Sequence, residues 1–329
     1  MILAGDIGGT KTQLALSDDA GAPPRFERRY ASGAYPALEP ILASFLADAR
    51  AALGETGPVQ AACFGVAGPI QGDRVHLTNL PWTLDAASLA GAFDIERVRL
   101  LNDFAAAAYG IEYLAADELT TLQAGAPRVG APRVVLGAGT GLGIAYMVHG
   151  DSGYRPLAGE GGHTGFAPTN AEQIALWHYL HERVGRVTLE HVLSGAGLMG
   201  IYDFLLERGA HPESPALRAE LAEGDVPAAV TQFALERGDP LASAALDLFI
   251  ACYGAAAGDH ALAIMARGGV YVAGGIAPKI LPRLAAGGFI EAFNDKARFA
   301  DAVRRMPVHV VTNERLPLLG AARAAIVND

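Results

Sequence analysis

The chain has 329 residues, 51% hydrophobic and 18% charged, which excludes a disordered chain and leaves room for two domains. Its formal net charge of −10 argues against non-specific nucleic-acid binding, which depends on Lys and Arg neutralising phosphates. Cys63 and Cys252 stand apart in apolar stretches, outside any metal-ligand spacing, and read as buried hydrophobes.

The chain opens on MILAGDIGGTKTQLAL, a strand-like run interrupted by Asp6, Gly8, Gly9 and Thr10. A second strand and a broken segment, RFERRYASGAYPALEP, lead into a helix over roughly Leu38 to Leu53. Its Leu38, Ile41, Leu42, Phe45, Leu46 and Ala49 recur at helical intervals. A strand at Val59–Val66 ends in the turn GVAGPI. A second helix starts near Leu84 with Thr83 or Asp85 as cap, and VRLLND is a short strand with an alanine-rich helix behind it. Strands alternating with helices imply a mainly parallel α/β sheet.

LTTLQAGAPRVGAPR reads as loop. It precedes a second interrupted hairpin, VVLGAGTGLGIAYMV, carrying Gly137, Gly139, Thr140, Gly141 and Gly143. Helices are expected near Ala171–Val184, Glu190–Arg208, Pro215–Glu223 and Val226–Arg237, with LSGAGL a serine-glycine turn making its own helix start. A long apolar helix spans about Leu241 to Met265, with Gly254 and Gly258 as candidate kinks. The strand and turn GGVYVAGGIAP follow, then a helix near Leu316–Ile326 with Pro317 in its first turn. Asp247, Asp259, His260 and Arg267 interrupt the longest apolar stretches, so no membrane span is expected. The start on a strand, without signal-peptide features, points to the cytoplasm.

The two glycine turns carry the chemistry. Glycine lets successive N–H groups converge on one point, a nest for phosphate oxygens. The Walker spacing G-x-x-x-x-G-K-[ST] is absent, and the dinucleotide fingerprint fails because the sixth positions from Gly137 and Gly139 are Leu142 and Ile144. One such hairpin per half suggests two related domains serving one nucleotide. Asn102 and Asp103, just past a strand's carboxyl end, lie where open α/β sheets place ligand groups. A carboxylate there can take the proton of an attacking hydroxyl, or Asp103 can simply cap the following helix. In EGGH, Glu160 and His163 flank two glycines that leave room for a ligand, and together they can bond adjacent sugar hydroxyls. Glu190 reads as a weaker candidate, its alternative being a first-turn helix glutamate that complements the dipole. His178 and His181, three apart, lack a third ligand and read as surface or packing residues.

These residues form a recognisable set. The chain resembles bacterial glucokinase, the hexokinase-type enzyme of the actin-like ATPase superfamily. The likeness runs nearly end to end through GDIGGTK, GVAGPI, TNLPW, LNDFAAAAYGI, GAGTGLG, EGGHTGFAP, ERVGRVTLEHVLSGAGL, GGVYVAGGIAP and LLGAARAA. It implies a two-domain α/β actin-like ATPase (ribonuclease H-like) fold with its active site in the interdomain cleft. Residues 1–112 with 307–329 would form a small domain and 113–306 a large one. It further implies ATP-dependent phosphorylation of D-glucose at the 6-hydroxyl, with Asp103 as catalytic base and Asn102 on neighbouring hydroxyls. Glu160, His163 and Glu190, with Asn79 of TNLPW, would complete the sugar site. Gly8, Gly9, Thr10 and Lys11 would form one phosphate loop and Gly139, Thr140 and Gly141 the other. Asp6, with Thr10, would place Mg²⁺ directly or through water, and Gly274 and Gly275 would lie under the adenosine. A homodimer is implied as well. The clustered cysteines that hold zinc in the broader sugar-kinase and repressor family are missing, as is an N-terminal DNA-binding helix pair. Another hexose or N-acetylhexosamine as substrate, ADP or polyphosphate as donor, a non-catalytic sugar sensor, and a sugar-free ATPase remain as alternatives.

Overall fold

The computed structural model describes residues 1–54, 57–68, 70–77, 79–151, 153–157, 159–209, 211–223 and 226–327. Two units emerge: Met1–Ala116 with Arg155–Ala158 and Asn313–Asp329, and Asp117–Tyr154 with Gly159–Thr312.

In the first unit, β1 (Ile2–Ile7), β2 (Lys11–Ser17) and β3 (Phe26–Ala31) form an antiparallel meander. Helix α1 (Leu38–Leu53) buries Leu38, Ile41, Leu42, Phe45 and Ala49, the face its spacing predicts. It leads to β4 (Ala61–Val66), which runs parallel to β1. A small sheet of β5 (Ile70–Gln71), β6 (Arg74–His76) and β7 (Thr83–Asp85) precedes α2 (Ala86–Phe93). Asp85 caps α2, accepting from Ser88 N at 2.8 Å. Then β8 (Arg97–Asn102) pairs parallel to β4, and α3 (Asp103–Gly110) follows, giving the order β3-β2-β1-β4-β8. The segment RFERRY, read as broken, is in fact the edge strand β3. Its exposed Arg28 and Arg29 masked the alternation that turns Tyr30 inward.

The sheet of the second unit has the order β12-β11-β10-β13-β14-β9, of which β12 starts in this unit at Gly153 while its residues 155–157 are counted with the first. Its strands are β9 (Leu119–Gln123), β10 (Arg133–Ala138), β11 (Leu142–Gly150), β12 (Gly153–Leu157), β13 (Gly269–Ala273) and β14 (Val308–Val311). LTTLQ, read as loop, is β9, a short edge strand antiparallel to β14 with a register shift at Val308/His309. Residues 307–312, grouped with the small domain on sequence, hold β14 and belong here. The helices are α4 (Ala171–Val184), α5 (Gly195–Glu207), α6 (Pro215–Glu223), α7 (Val226–Gln232), α8 (Pro240–Ile264), α9 (Leu281–Leu284), α10 (Gly288–Asn294) and α11 (Ala300–Val303). α5 starts at Gly195, later than the expected Glu190, because Ser194 caps it by accepting from Gly197 N at 3.0 Å.

α8 runs unbroken for 25 residues. Its Gly254 and Gly258 do not break it; a Cβ on either would collide with a carbonyl of α10, at Phe289 or Phe293, so they let the two helices approach closely. The expectation that no stretch reaches membrane length is corrected: α8 is long and apolar enough by length and composition, with 78% of its most apolar window buried inside the protein. Burial explains the apolarity, since a core helix has no solvent face to keep polar.

Helix α12 (Leu316–Ile326) returns to the first unit, where Arg99 donates to the carbonyls of Ala324 (2.8 Å) and Val327 (3.0 Å). It crosses α3 through facing glycines. A Cβ on Gly320 would collide with the Ala106 carbonyl, and one on Gly110 would sit 2.6 Å from the Leu316 carbonyl. A rigid backbone oxygen cannot move aside as a side chain can. We therefore expect Gly320→Ala to lose about 2–3 kcal/mol of stability, read as a lower denaturant midpoint. Gly91→Ala on α2, where an added Cβ meets nothing within 4 Å, should hold or gain stability through helix propensity.

Candidate functional site

The first glycine turn joins β1 to β2, with Gly8 N donating to Lys11 O at 2.9 Å. Ser32, which the sequence reading did not single out, secures it. Its hydroxyl donates to Gly8 O (2.7 Å) and lies 3.0 Å from the Thr12 hydroxyl, and its N–H donates to Thr10 O (3.0 Å). Thr10 and Lys11 are exposed at the tip. Asp6 sits one pair back along β1, opposite Gln13. Among the described residues its carboxylate accepts no hydrogen bond. Burial pushes its carboxyl above the ordinary range, with the charges of Lys11 and Arg29 opposing that shift.

Parallel register carries this end of the sheet across to Asp103. Asp6 and Ile7 align with Gly65 and Val66 of β4, which align with Leu101 and Asn102 of β8. Two strand spacings put the ends of β1 and β8 about 10 Å apart. Gly65 makes the fit: a Cβ there would lie 3.0 Å from the Ala106 Cβ and 3.6 Å from the Asp103 Cα. The cap of α3 is Asn102 rather than Asp103. Its Oδ1 accepts from Phe104 N (3.0 Å) and Ala105 N (3.1 Å), while Asp103 Oδ1 accepts from Phe104 N at 2.8 Å. Asn102 Nδ2 has no partner among the described residues, so it can donate to a ligand.

Asn79 lies against the glycine turn, its Cβ 2.8 Å from where a Cβ on Gly9 would stand. Buried Trp82 anchors its loop, Nε1 donating to Tyr35 O (3.2 Å) and the Trp82 carbonyl accepting from Leu77 N (3.0 Å). Thr78 of TNLPW and Pro69 of GVAGPI lie outside the described residues.

The second glycine turn joins β10 to β11 in the second unit, closed by Gly139 N donating to Gly141 O at 2.8 Å. Gly195 N donates to Gly139 O (2.9 Å), so the amino end of α5 abuts the turn. The helix start in LSGAGL was legible, but not its attachment here. Gly274 and Gly275 follow β13, parallel to β10, and Gly274 (φ +81°) lies close under the Ala138 carbonyl.

EGGH lies flat on the start of β11. Glu160 bridges Ile144, and a Cβ on Gly162 would collide with the Leu142 carbonyl. Glu160 and His163 are exposed. Glu190 belongs to a turn, not a helix. Its N–H donates to Gly162 O (2.9 Å), and its Oε2 accepts from Leu142 N (2.9 Å) at the edge of the glycine turn. The second unit thus gathers Gly139, Thr140, Gly141, Glu160, His163, Glu190, Gly274 and Gly275 around one end of its sheet. The first gathers Asp6, Gly8 to Lys11, Asn79, Asn102 and Asp103.

Other candidates fall away. His181 stacks on Trp177 (4.6 Å, 9°) and bonds the Gly185 carbonyl. Among the described residues no three His, Cys, Asp or Glu side chains group as metal ligands. Both cysteines are buried and free, and burial pushes each thiol up to about 12.

Comparison with known proteins identifies the family. The family model for glucokinase matches residues 3–327. The chain is 42% identical to a Synechocystis sp. glucokinase, covering 98% of this chain and 97% of the relative. It is 40% identical to one from Nostoc punctiforme, covering 99% and 98%. Among solved structures, glucokinase from an Antarctic psychrotroph superimposes with a TM-score of 0.83 at 30% identity, covering 98% of each chain. Glucokinase from Balamuthia mandrillaris in complex with glucose gives 0.81 at 22% identity, covering 98% of this chain and 93% of that one, a likeness of fold. A ROK-family glucokinase from Streptomyces griseus gives 0.64 at 20% identity, covering 98% of each, and confirms the two-domain actin-like ATPase fold. Matching nearly end to end in sequence and in structure, the chain belongs to the glucokinase family.

Proposed function

We propose that the chain transfers the γ-phosphoryl group of ATP to the 6-hydroxyl of D-glucose, giving glucose 6-phosphate and ADP. The observation that carries this is the register of β1, β4 and β8, which sets Asp103 at the same sheet end as the first glycine turn and Asp6. Phosphoryl transfer asks for positioning and charge neutralisation more than covalent chemistry. Asp103 accepts the proton of the 6-hydroxyl as that oxygen attacks phosphorus, and Asn102 Nδ2 holds a neighbouring hydroxyl. Glu160, His163 and Glu190 take the remaining sugar hydroxyls, with Asn79 steadying the sugar side of the first turn. The backbones of Gly8, Gly9 and Thr10, with the Lys11 ammonium, and of Gly139, Thr140 and Gly141 cradle phosphate oxygens. Gly274 and Gly275 leave a side-chain-free surface for the adenosine.

Asp6 suits Mg²⁺. A single half-buried carboxylate, lacking hydrogen bonds among the described residues and one pair back from the first glycine turn, fits a cation that keeps most of its waters and binds phosphates. Bound there, Mg²⁺ would neutralise charge on the phosphates. In this reading the enzyme works in the cytoplasm as a homodimer, with no nucleic-acid or membrane partner.

ADP release measured with glucose, mannose, fructose and N-acetylglucosamine tests the substrate. Glucose is expected to give the highest kcat/KM, and release unstimulated by any sugar would leave a sensor or sugar-free ATPase instead. Asp103→Asn should retain glucose affinity while kcat falls at least ~10²-fold; near-normal turnover would remove the base role. The Asp6 shift has a definite sign. Its folded pKa is raised from 3.8 by burial, so the protonated form is favoured in the fold. That contribution is complete below pH 3.8 and lost as pH rises through the shifted value. Ligand-free Asp6→Asn should therefore gain stability over the parent as pH rises toward neutrality, while Mg²⁺–nucleotide raises its Tm less than the parent's. Thermal melts with and without ligand check both, and a variant less stable than the parent at pH 7 without ligand would refute the assignment.

A further inference from the structure

Glu190 touches two parts of the second unit that the proposed reaction assigns to different substrates. Its Oε2 accepts from Leu142 N at 2.9 Å, the first residue after the glycine turn. Its own N–H donates to Gly162 O at 2.9 Å, inside EGGH. The adjoining Leu189 N donates to Thr164 O (2.9 Å) and Phe166 N to Val187 O (3.2 Å), so the 187–190 segment is zipped along the whole EGGHTGF stretch. Gly141 faces the carboxylate so closely that a Cβ there would collide with Oε2. Among the described residues Oε1 has no partner.

We infer that Glu190, besides holding a sugar hydroxyl, positions the second phosphate turn, and that this one carboxylate couples sugar affinity to nucleotide affinity. This rests on the reading of EGGH and Glu190 as sugar ligands and of Gly139 to Gly141 as a phosphate turn. A carboxylate is an acceptor only, with an oxygen for each side. Oε2 on the Leu142 amide fixes the plane in which Oε1 meets a hydroxyl. A hydroxyl on Oε1 in turn holds the carboxylate against the amide that ends the turn. The bond from a charged acceptor to a backbone N–H is of the strong class, and moving either partner disturbs the other. Any such coupling acts equally in both directions.

Two alanines in one turn separate this from general damage to the phosphate loop. Neither Gly139 nor Gly141 has a φ in the left-handed region, so both backbones accept alanine. A Cβ on Gly139 meets nothing within 4 Å, whereas one on Gly141 displaces Glu190. Calorimetric titration of glucose into nucleotide-free enzyme should show Gly141→Ala weakened on the order of tenfold or more, and Gly139→Ala unchanged. A second arm covers poor folding of the first. Titration of a non-hydrolysable ATP analogue into sugar-free Glu190→Ala should show several-fold weaker binding than into Glu160→Ala. Equal glucose affinities for the two glycine variants, or equal analogue affinities for the two glutamate variants, would overturn the coupling. A parent enzyme that binds no glucose would instead overturn the functional reading beneath it.

Discussion

The hydrogen-bond register between β1, β4 and β8 is the constraint on which the first unit's chemistry depends. Asp6 and Asn102 are 96 positions apart by their numbers in the chain, and nothing local links them. Parallel pairing does: Ile7 meets Val66, and Val66 meets Asn102. A slip of one residue at either pairing would move the fully buried Leu3 and Ile7, or Phe64, onto the opposite face, where Ile2, Ala4, Ala61 and Cys63 pack with the alanines of α12. The core of the sheet therefore enforces the alignment of its carboxyl ends. The position of Asp103 relative to the first glycine turn follows from hydrophobic burial.

In the second unit the equivalent constraint is backbone approach. Gly137 lies where a Cβ would be 2.7 Å from the Ala273 carbonyl, Gly274 under the Ala138 carbonyl, and Gly162 on the Leu142 carbonyl. The first two bring the turn after β13 to the end of β10 and the third brings EGGH to the start of β11, so two loops close onto one hairpin. Side chains at these positions would hold the loops apart by more than a hydrogen bond can span. Glycine here sets distance more than conformation. Only Gly274 among the three has a φ in the left-handed region, at +81°.

Much of this was legible in the chain, for identifiable reasons. The helices at Leu38–Leu53, Ala171–Val184 and Leu316–Ile326 announce themselves by periodicity or by a cap or proline, all local signals. The two glycine turns read as phosphate nests because glycine between apolar strands is itself local. Edge strands β3 and β9 were not legible. An edge strand needs no unbroken apolar run, and charged or threonine-rich sequences satisfy it. The extent of α8 was legible to within a residue at each end, but its membrane-scale apolarity was not, because scattered polar residues look like interruptions until the helix is seen buried. The roles of Ser32 and Glu190 were hidden for a different reason. Each acts through a bond to a backbone group 24 or 48 residues away, and sequence spacing says nothing about such partners.

The capping of α3 shows how neighbouring residues of similar shape divide two tasks. Helix starts favour Asn and Asp alike, so the sequence leaves open which of Asn102 and Asp103 serves. The backbone decides: Asn102 has an extended ψ of 141° and precedes the helix, while Asp103 is its first residue. The neutral amide thereby takes the Ala105 N–H and shares that of Phe104, and keeps an N–H₂ to offer outward. Were the order reversed, the carboxylate would be committed to two helix amides and held in its ionised form by them, a poor acceptor for a substrate proton. Asn102 takes the Ala105 amide, while Asp103 Oδ1 accepts from Phe104 N at 2.8 Å. The helix end still favours a negative charge at Asp103 before the proton arrives. The order Asn-Asp, and not only the presence of an acid, is what the proposed general base at this strand end draws on.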